Sequence, residues 1–256
     1  MTHDPVAQTA PHKVVIMARG LGTRMRKSVE GVSLTADQAA AASAGVKAMI
    51  SLDDRPFLDY VISALADAGF DEFCLVIGPE HNVIRDYYDS CEKSRLSIVY
   101  AIQERPLGTA DAVATAEDFA GEDRVLVVNS DNFYPEDAVA RLREVPASGT
   151  LGFTKRAMIA QSNIDPERIR AFALLDSDDS GQLTDIIEKP DPHIVDAAGE
   201  TALVSMNCFL LTPRIFEACR SIDKSERGEY EIVDAVRWMV EHGEHFDVIP
   251  VESGVL

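Results

Sequence analysis

The chain has 256 residues, with 24 Lys and Arg against 43 Asp and Glu, for a formal net charge of −19. A hydrophobic share of 46% and a charged share of 26% are globular values, which exclude general disorder and suit one large α/β domain or two small ones. An acidic average surface repels phosphate, so nucleic-acid polymers and anionic membranes are excluded as partners.

In chain order, residues 1–12, with Pro5 and Pro11, form a polar segment expected to be a flexible N-terminal tail. Strand-like apolar runs then cover 13–18, 73–78, 97–102, 124–129, 150–154 and 203–211. Helix-like amphipathic segments at 57–68, 80–90, 109–119 and 135–144 separate them. Continuous Val/Ile/Leu runs alternating with such helices predict an α/β fold with a parallel sheet buried on both faces. Strand signals at 170–176 and 183–188 flank the turn-rich Asp176-Ser177-Asp178-Asp179-Ser180-Gly181 and predict a hairpin excursion. A helix at 229–242 and a strand at 245–251 follow. With no internal repeat or linker, residues 13–256 are expected to form one domain.

An alanine-rich insert at 28–46 interrupts this pattern; Thr35 can cap a short helix there and Gly45 can end it. It has little apolar bulk, which suits a lid, an oligomer contact or a solvated insert. Four dispersed cysteines without a C-x-x-C pair indicate a reducing compartment. The chain lacks an apolar stretch of about 18 residues and a signal-peptide pattern, so the expectation is a cytoplasmic protein. His242 and His245 do not suggest a metal site, because Gly243 between them weakens a ligand-bearing helix.

Charge is unevenly placed. The first 50 residues hold six cations (Lys13, Arg19, Arg24, Arg26, Lys27 and Lys47) against three acids, a balance that suits a bound anion or simply a solvated basic loop. The first strand runs into Ala18-Arg19-Gly20-Leu21-Gly22-Thr23-Arg24-Met25-Arg26-Lys27. Glycines after a strand let backbone N–H groups approach phosphate, and arginines add charge-assisted donors. Met25 stands where a dinucleotide fingerprint needs its third glycine, and the G-K-[S/T] of a Walker loop is absent. Gly20-Leu21-Gly22-Thr23-Arg24 instead matches the G-x-G-T-R loop of nucleotidyltransferases.

Further motifs follow in order. Lys47 lies after the loop, and Asp54-Arg55-Pro56-Phe57 opens the next helix. Gln103-Glu104-Arg105-Pro106-Leu107-Gly108-Thr109-Ala110 follows the third strand-like run, and its glutamine amide offers a donor and an acceptor to the imide edge of uracil or thymine. Asn129-Ser130-Asp131-Asn132 ends the fourth strand-like run, where α/β sheets place ligands. Ile187-Glu188-Lys189-Pro190 and Gly228-Glu229-Tyr230-Glu231 complete the set. Over nearly its whole length, from about Val14 to Val251, the chain resembles the sugar-1-phosphate nucleotidylyltransferases, among them glucose-1-phosphate thymidylyltransferases and uridylyltransferases.

The resemblance implies a Rossmann-like, GT-A-like three-layer sandwich with a mostly parallel mixed central sheet. It implies transfer of a nucleotidyl group from an NTP, UTP or dTTP, to a sugar-1-phosphate, giving NDP-sugar and pyrophosphate. Arg24, Lys47 and Asp131 are the expected catalytic residues. Ala18, Arg19, Gly20, Leu21, Gly22, Thr23, Gln103, Gly108 and Thr109 are expected to bind the nucleotide. Asn132, Glu188, Lys189 and Asn207 are expected at the sugar phosphate. Mg²⁺ is the implied cofactor, on Asp131 and a second ligand in a late "D-x-G" or "G-V-N" stretch; Glu252 is the candidate, or a residue beyond Leu256. Arg19 and Ser130 replace family glycines. Alternatives are a non-catalytic NDP-sugar sensor on the same fold and a non-sugar phosphate acceptor. Homo-oligomer formation is left open.

Overall fold

The structure is a computed structural model that describes residues 10–20 and 47–255. Its strands are β1 (Lys13–Met17), β2 (Ser51–Leu52), β3 (Arg55–Pro56), β4 (Glu72–Ile77), β5 (Ser97–Ile102), β6 (Val125–Asn129), β7 (Ser148–Thr154), β8 (Leu174–Ser177), β9 (Leu183–Ile187), β10 (Leu203–Leu211) and β11 (Phe246–Val251). Its helices are α1 (Phe57–Asp67), α2 (Asn82–Ser90), α3 (Thr109–Ala114), α4 (Glu117–Ala120), α5 (Glu136–Arg143), α6 (Lys155–Gln161), α7 (Pro166–Ile169), α8 (Pro192–Ala197), α9 (Arg214–Ser221) and α10 (Ile232–Glu241).

The central sheet runs β11-β7-β10-β6-β1-β4-β5, with the β8–β9 hairpin joined to β10. Along this path only β10 is antiparallel to its neighbours, so the sheet is mixed and mostly parallel. Alternate residues of each strand enter opposite cores, following the period of two in a strand. Val14, Ile16, Leu126 and Val128 face one core beneath α1, α2 and α5, while Val15, Met17, Val125 and Val127 face the other beneath α3, α9 and α10. Leu58, Val61, Ile62 and Leu65 put a single apolar stripe of α1 on the sheet, the spacing of an amphipathic helix. The expected three-layer arrangement is therefore present.

Three differences from the expected elements have local causes. The helix expected at 109–119 splits at Thr115, whose hydroxyl donates to Ala112 O at 2.7 Å. The helix expected from 229 begins at Ile232, because Tyr230 is held by the 107–110 segment: its N–H donates to Leu107 O at 2.8 Å, and its carbonyl accepts from Ala110 N at 2.9 Å. Helices α6 to α9 were not expected. Thr154 caps α6, and Asp165 and Asp191, each followed by Pro at the first helical position, cap α7 and α8.

The chain runs from β1 outward to β4 and β5, then returns to the other side of β1 as β6. The strand order reverses there, so a crevice opens at the carboxyl ends of β1 and β6, where α/β sheets bind ligands. The alanine-rich insert and the loop residues Leu21, Gly22, Thr23, Arg24, Arg26 and Lys27 lie outside the described residues.

Candidate active site

A cavity of about 630 Å³ occupies this crevice. Ala18, Arg19 and Gly20 enter it from the end of β1, and Asn129, Ser130 and Asp131 from the end of β6. Lys47 and Ala48 contribute from a 3₁₀ turn at Lys47–Met49. Gln103, Pro106, Gly108 and Thr109 line the side beyond β5, and Glu188, Asn207, Arg227, Glu229 and Glu231 close the other end. Segments far apart in sequence and expected at the nucleotide and at the sugar thus meet in one space.

Lys47 Nζ lies 3.3 Å from Asp131 Oδ2, and both side chains are 42% exposed. An ion pair this open to water contributes about 0–1 kcal/mol, so either partner is free to exchange for a charged ligand. One carboxylate facing a space large enough for a triphosphate suits Mg²⁺, which takes one or two carboxylates and completes its shell with phosphate oxygens and water. Among the described residues, three or more His, Cys, Asp or Glu do not gather into a metal cluster.

Arg19 does not hang free in the cavity. Its side chain is only 7% exposed, and Nη1 donates to the main-chain carbonyl of Gln103. Nη2 reaches Glu80 Oε1 at 3.3 Å, and Nε has no partner among the described residues. The Arg19 charge also contributes to holding the Glu80 carboxyl below its usual range, behind the hydrogen bond from the Glu80 backbone. Beside it, burial lowers the His81 pKa, and its Nδ1 accepts from Gly78 N at 3.3 Å.

Gly108 and Thr109 join the two ends of the site. Gly108 has φ 122°, and a Cβ there would lie 2.3 Å from Tyr230 O. Thr109 Oγ1 accepts from Ile232 N at 2.8 Å, capping α10 from a segment 123 residues earlier in the chain. Asn207 adopts φ 55° within the register shift of β10 against β7, a bulge that turns the strand beside the site. Burial raises the pKa of Glu188, with the neighbouring Glu231 charge adding to the shift. The Lys189 and Arg227 charges oppose that shift, and Arg227 is itself paired with Glu231.

Three expected contacts are placed differently. Asn132 is buried outside the cavity lining, its Nδ2 donating to Met206 O and Tyr134 Oη at 3.1 Å, which ties β6 to β10. Lys189, at φ 45°, is exposed and does not line the cavity, although its charge acts on Glu188 and Asp234. Glu252 also lies outside the lining. Its carboxylate accepts from Arg156 at 2.8 Å and Thr154 Oγ1 at 3.2 Å, at the end of β11, three strands from β6. Sequence reasoning did not single out Arg227, Glu80 or Asp111; Arg227 was accessible as the residue preceding the Gly228-Glu229 motif.

The chain is 30% identical over 243 residues to a UTP–glucose-1-phosphate uridylyltransferase of Haloferax volcanii, covering 94% of this chain and 88% of that protein. It is also 30% identical to a glucose-1-phosphate thymidylyltransferase of Streptomyces griseus, covering 90% of this chain but only 58% of that longer protein. A UTP-bound UGPase from Acinetobacter baumannii superposes with a TM-score of 0.73 at 18% identity, covering 96% of this chain and 88% of that one. A UDP-glucose pyrophosphorylase complexed with UDP-glucose gives 0.71 at 18%, with 94% and 91% covered. At that identity the two structures establish the fold alone. The nucleotidyl transferase family model matches residues 13–252, and the chain belongs to that family.

Proposed function

We propose that this protein transfers a nucleotidyl group from UTP or dTTP to a sugar-1-phosphate, releasing pyrophosphate. The supporting observation is the single cavity at the β1–β6 switch point, which gathers Lys47 and Asp131, Gln103, and Glu188 with Asn207. The names of the uridylyl- and thymidylyltransferase relatives support the same substrates.

In this reading the acceptor phosphate oxygen attacks the α-phosphorus in line. A new P–O bond forms, the bond to the β-phosphate oxygen breaks, and pyrophosphate leaves with the electron pair. The protein has little covalent chemistry to perform, so positioning and charge neutralisation carry the rate. The ammonium of Lys47 leaves its weak pairing with Asp131 and neutralises charge on the α-phosphoryl group. Asp131 is the residue that would hold Mg²⁺, which supplies charge neutralisation to the phosphates when bound. Gly20 presents its backbone to the phosphates, with Leu21, Gly22, Thr23 and Arg24 assigned to the same task by their motif. Gln103 faces the base and Glu188 and Asn207 the sugar hydroxyls, while Lys189, outside the cavity lining, is assigned to the acceptor phosphate by its motif alone.

Pyrophosphate release, followed with each NTP and a panel of sugar-1-phosphates in Mg²⁺, tests the assignment. UTP or dTTP with a hexose-1-phosphate is expected to turn over. Binding of NDP-sugar without turnover in any pairing would refute catalysis and favour the sensor alternative.

A further inference from the structure

Gln103 is fixed from several sides. It is 3% exposed, and its N–H continues the β5–β4 pairing by donating to Ile77 O at 2.9 Å. Its main-chain carbonyl accepts from the Arg19 guanidinium. Its side-chain Nε2 donates to Asp111 Oδ2 at 2.7 Å and to Gly108 O at 3.0 Å.

These contacts decide the amide's orientation by chemistry. A carboxylate and a carbonyl accept only, so both must face the NH₂ group; the flipped amide would set Oε1 against two acceptors. Donation to a carboxylate is charge-assisted, which strengthens the preference. Both amide hydrogens are therefore consumed inside the protein, and no described residue donates to Oε1. Gln103 lines the cavity, so what it offers a ligand is an acceptor alone.

We propose that Asp111 and Arg19 are positioning residues that make Gln103 an acceptor-only reader of the base. The cavity then selects a ring N–H, as in the imide of uracil or thymine, and rejects a base that presents a bare ring nitrogen at that position, as cytosine does. This sharpens the sequence expectation that the amide would use both donor and acceptor. It also reassigns Arg19: the guanidinium braces the Gln103 backbone against Glu80 rather than acting as a free phosphate donor. The proposal rests on the nucleotidyl-transfer reading above.

The test is kcat/KM for UTP, dTTP, CTP and GTP with one sugar-1-phosphate, using the full chain and its Asp111→Asn and Arg19→Met variants. Asparagine nearly preserves the shape of Asp111 but can also donate, so it removes the stronger, charged one of the two acceptors that oppose the flipped amide and leaves Gly108 O alone to resist it. Asp111→Asn is expected to raise the CTP:UTP ratio on the order of tenfold. Arg19→Met is expected to raise KM for UTP while kcat changes little. A purely structural loss would lower CTP and UTP turnover together and leave their ratio unchanged; that result in a folded Asp111→Asn variant, or equal use of CTP and UTP by the wild type, overturns the proposal. If the wild type turns over no NTP, the transfer reading fails separately. Equilibrium binding of UTP and CTP to the same proteins then decides the positioning claim by the same ratio.

Discussion

Gly108 is the position where one added methyl group should separate the two halves of the site. Its φ of 122° and ψ of 178° lie in a region that is essentially glycine-only, costing about 1–3 kcal/mol for another residue. A Cβ at 2.3 Å from Tyr230 O and 2.6 Å from Tyr230 N also cannot be accommodated while the segments stay paired. Separating them loses the Tyr230 N to Leu107 O and Ala110 N to Tyr230 O hydrogen bonds, at about 0.5–1.5 kcal/mol each. Gly108→Ala is thus expected to cost about 4 kcal/mol, a large part of a typical stability of about 5–15 kcal/mol. Gly243→Ala is the control. That glycine has φ 81° but open space around it, so only the backbone cost of about 1–2 kcal/mol applies. Urea unfolding of both variants measures the difference, and initial rates should show KM rising for nucleotide and sugar phosphate together. Equal destabilisation by the two substitutions would refute the coupling argument.

Lys47→Ala and Asp131→Asn should each lower kcat by about 10²–10³-fold. Because their ion pair is exposed, the melting temperature should stay within about 3 °C; a larger fall would assign the pair a structural role. Glu188→Gln should lower activity yet raise thermal stability in a pH-dependent way. A raised carboxyl pKa means that the folded protein holds the proton more tightly than the unfolded chain, so the wild type is favoured at low pH and loses that contribution as pH rises through the folded pKa. Melting curves from about pH 4 to about pH 8 should show the Gln variant's advantage growing with pH, and a constant offset would contradict the burial argument. Glu252→Ala should leave the Mg²⁺ concentration for half-maximal rate unchanged, since its carboxylate is engaged by Arg156 and Thr154; a weakened Mg²⁺ dependence would instead make it a ligand.

Much of the architecture was legible because its causes are local. Strands buried on both faces must be continuous apolar runs, so 13–17, 72–77 and 125–129 stood out almost to the residue, and the edge strand 97–102 stood out by the same apolar composition although it is only partly buried. Motif residues at strand ends were legible too, since the end of a parallel strand in such a fold opens toward the ligand crevice. Asp165-Pro166 and Asp191-Pro192 carried cap signals for α7 and α8 that short, weakly apolar helices otherwise conceal.

What the sequence by itself determined is the layered sheet, the family motifs and the residue types that the proposed function assigns to phosphate, base and sugar. Only the tertiary structure decided which partner each polar group takes. Asn132 spends its amide on Met206, Glu252 its charge on Arg156, and Gln103 its donors on Asp111 and Gly108. Thr109 caps a helix 123 residues away. A side chain's chemistry is written in its identity, but its free valence depends on which distant segments fold against it, and sequence spacing carries no record of that approach.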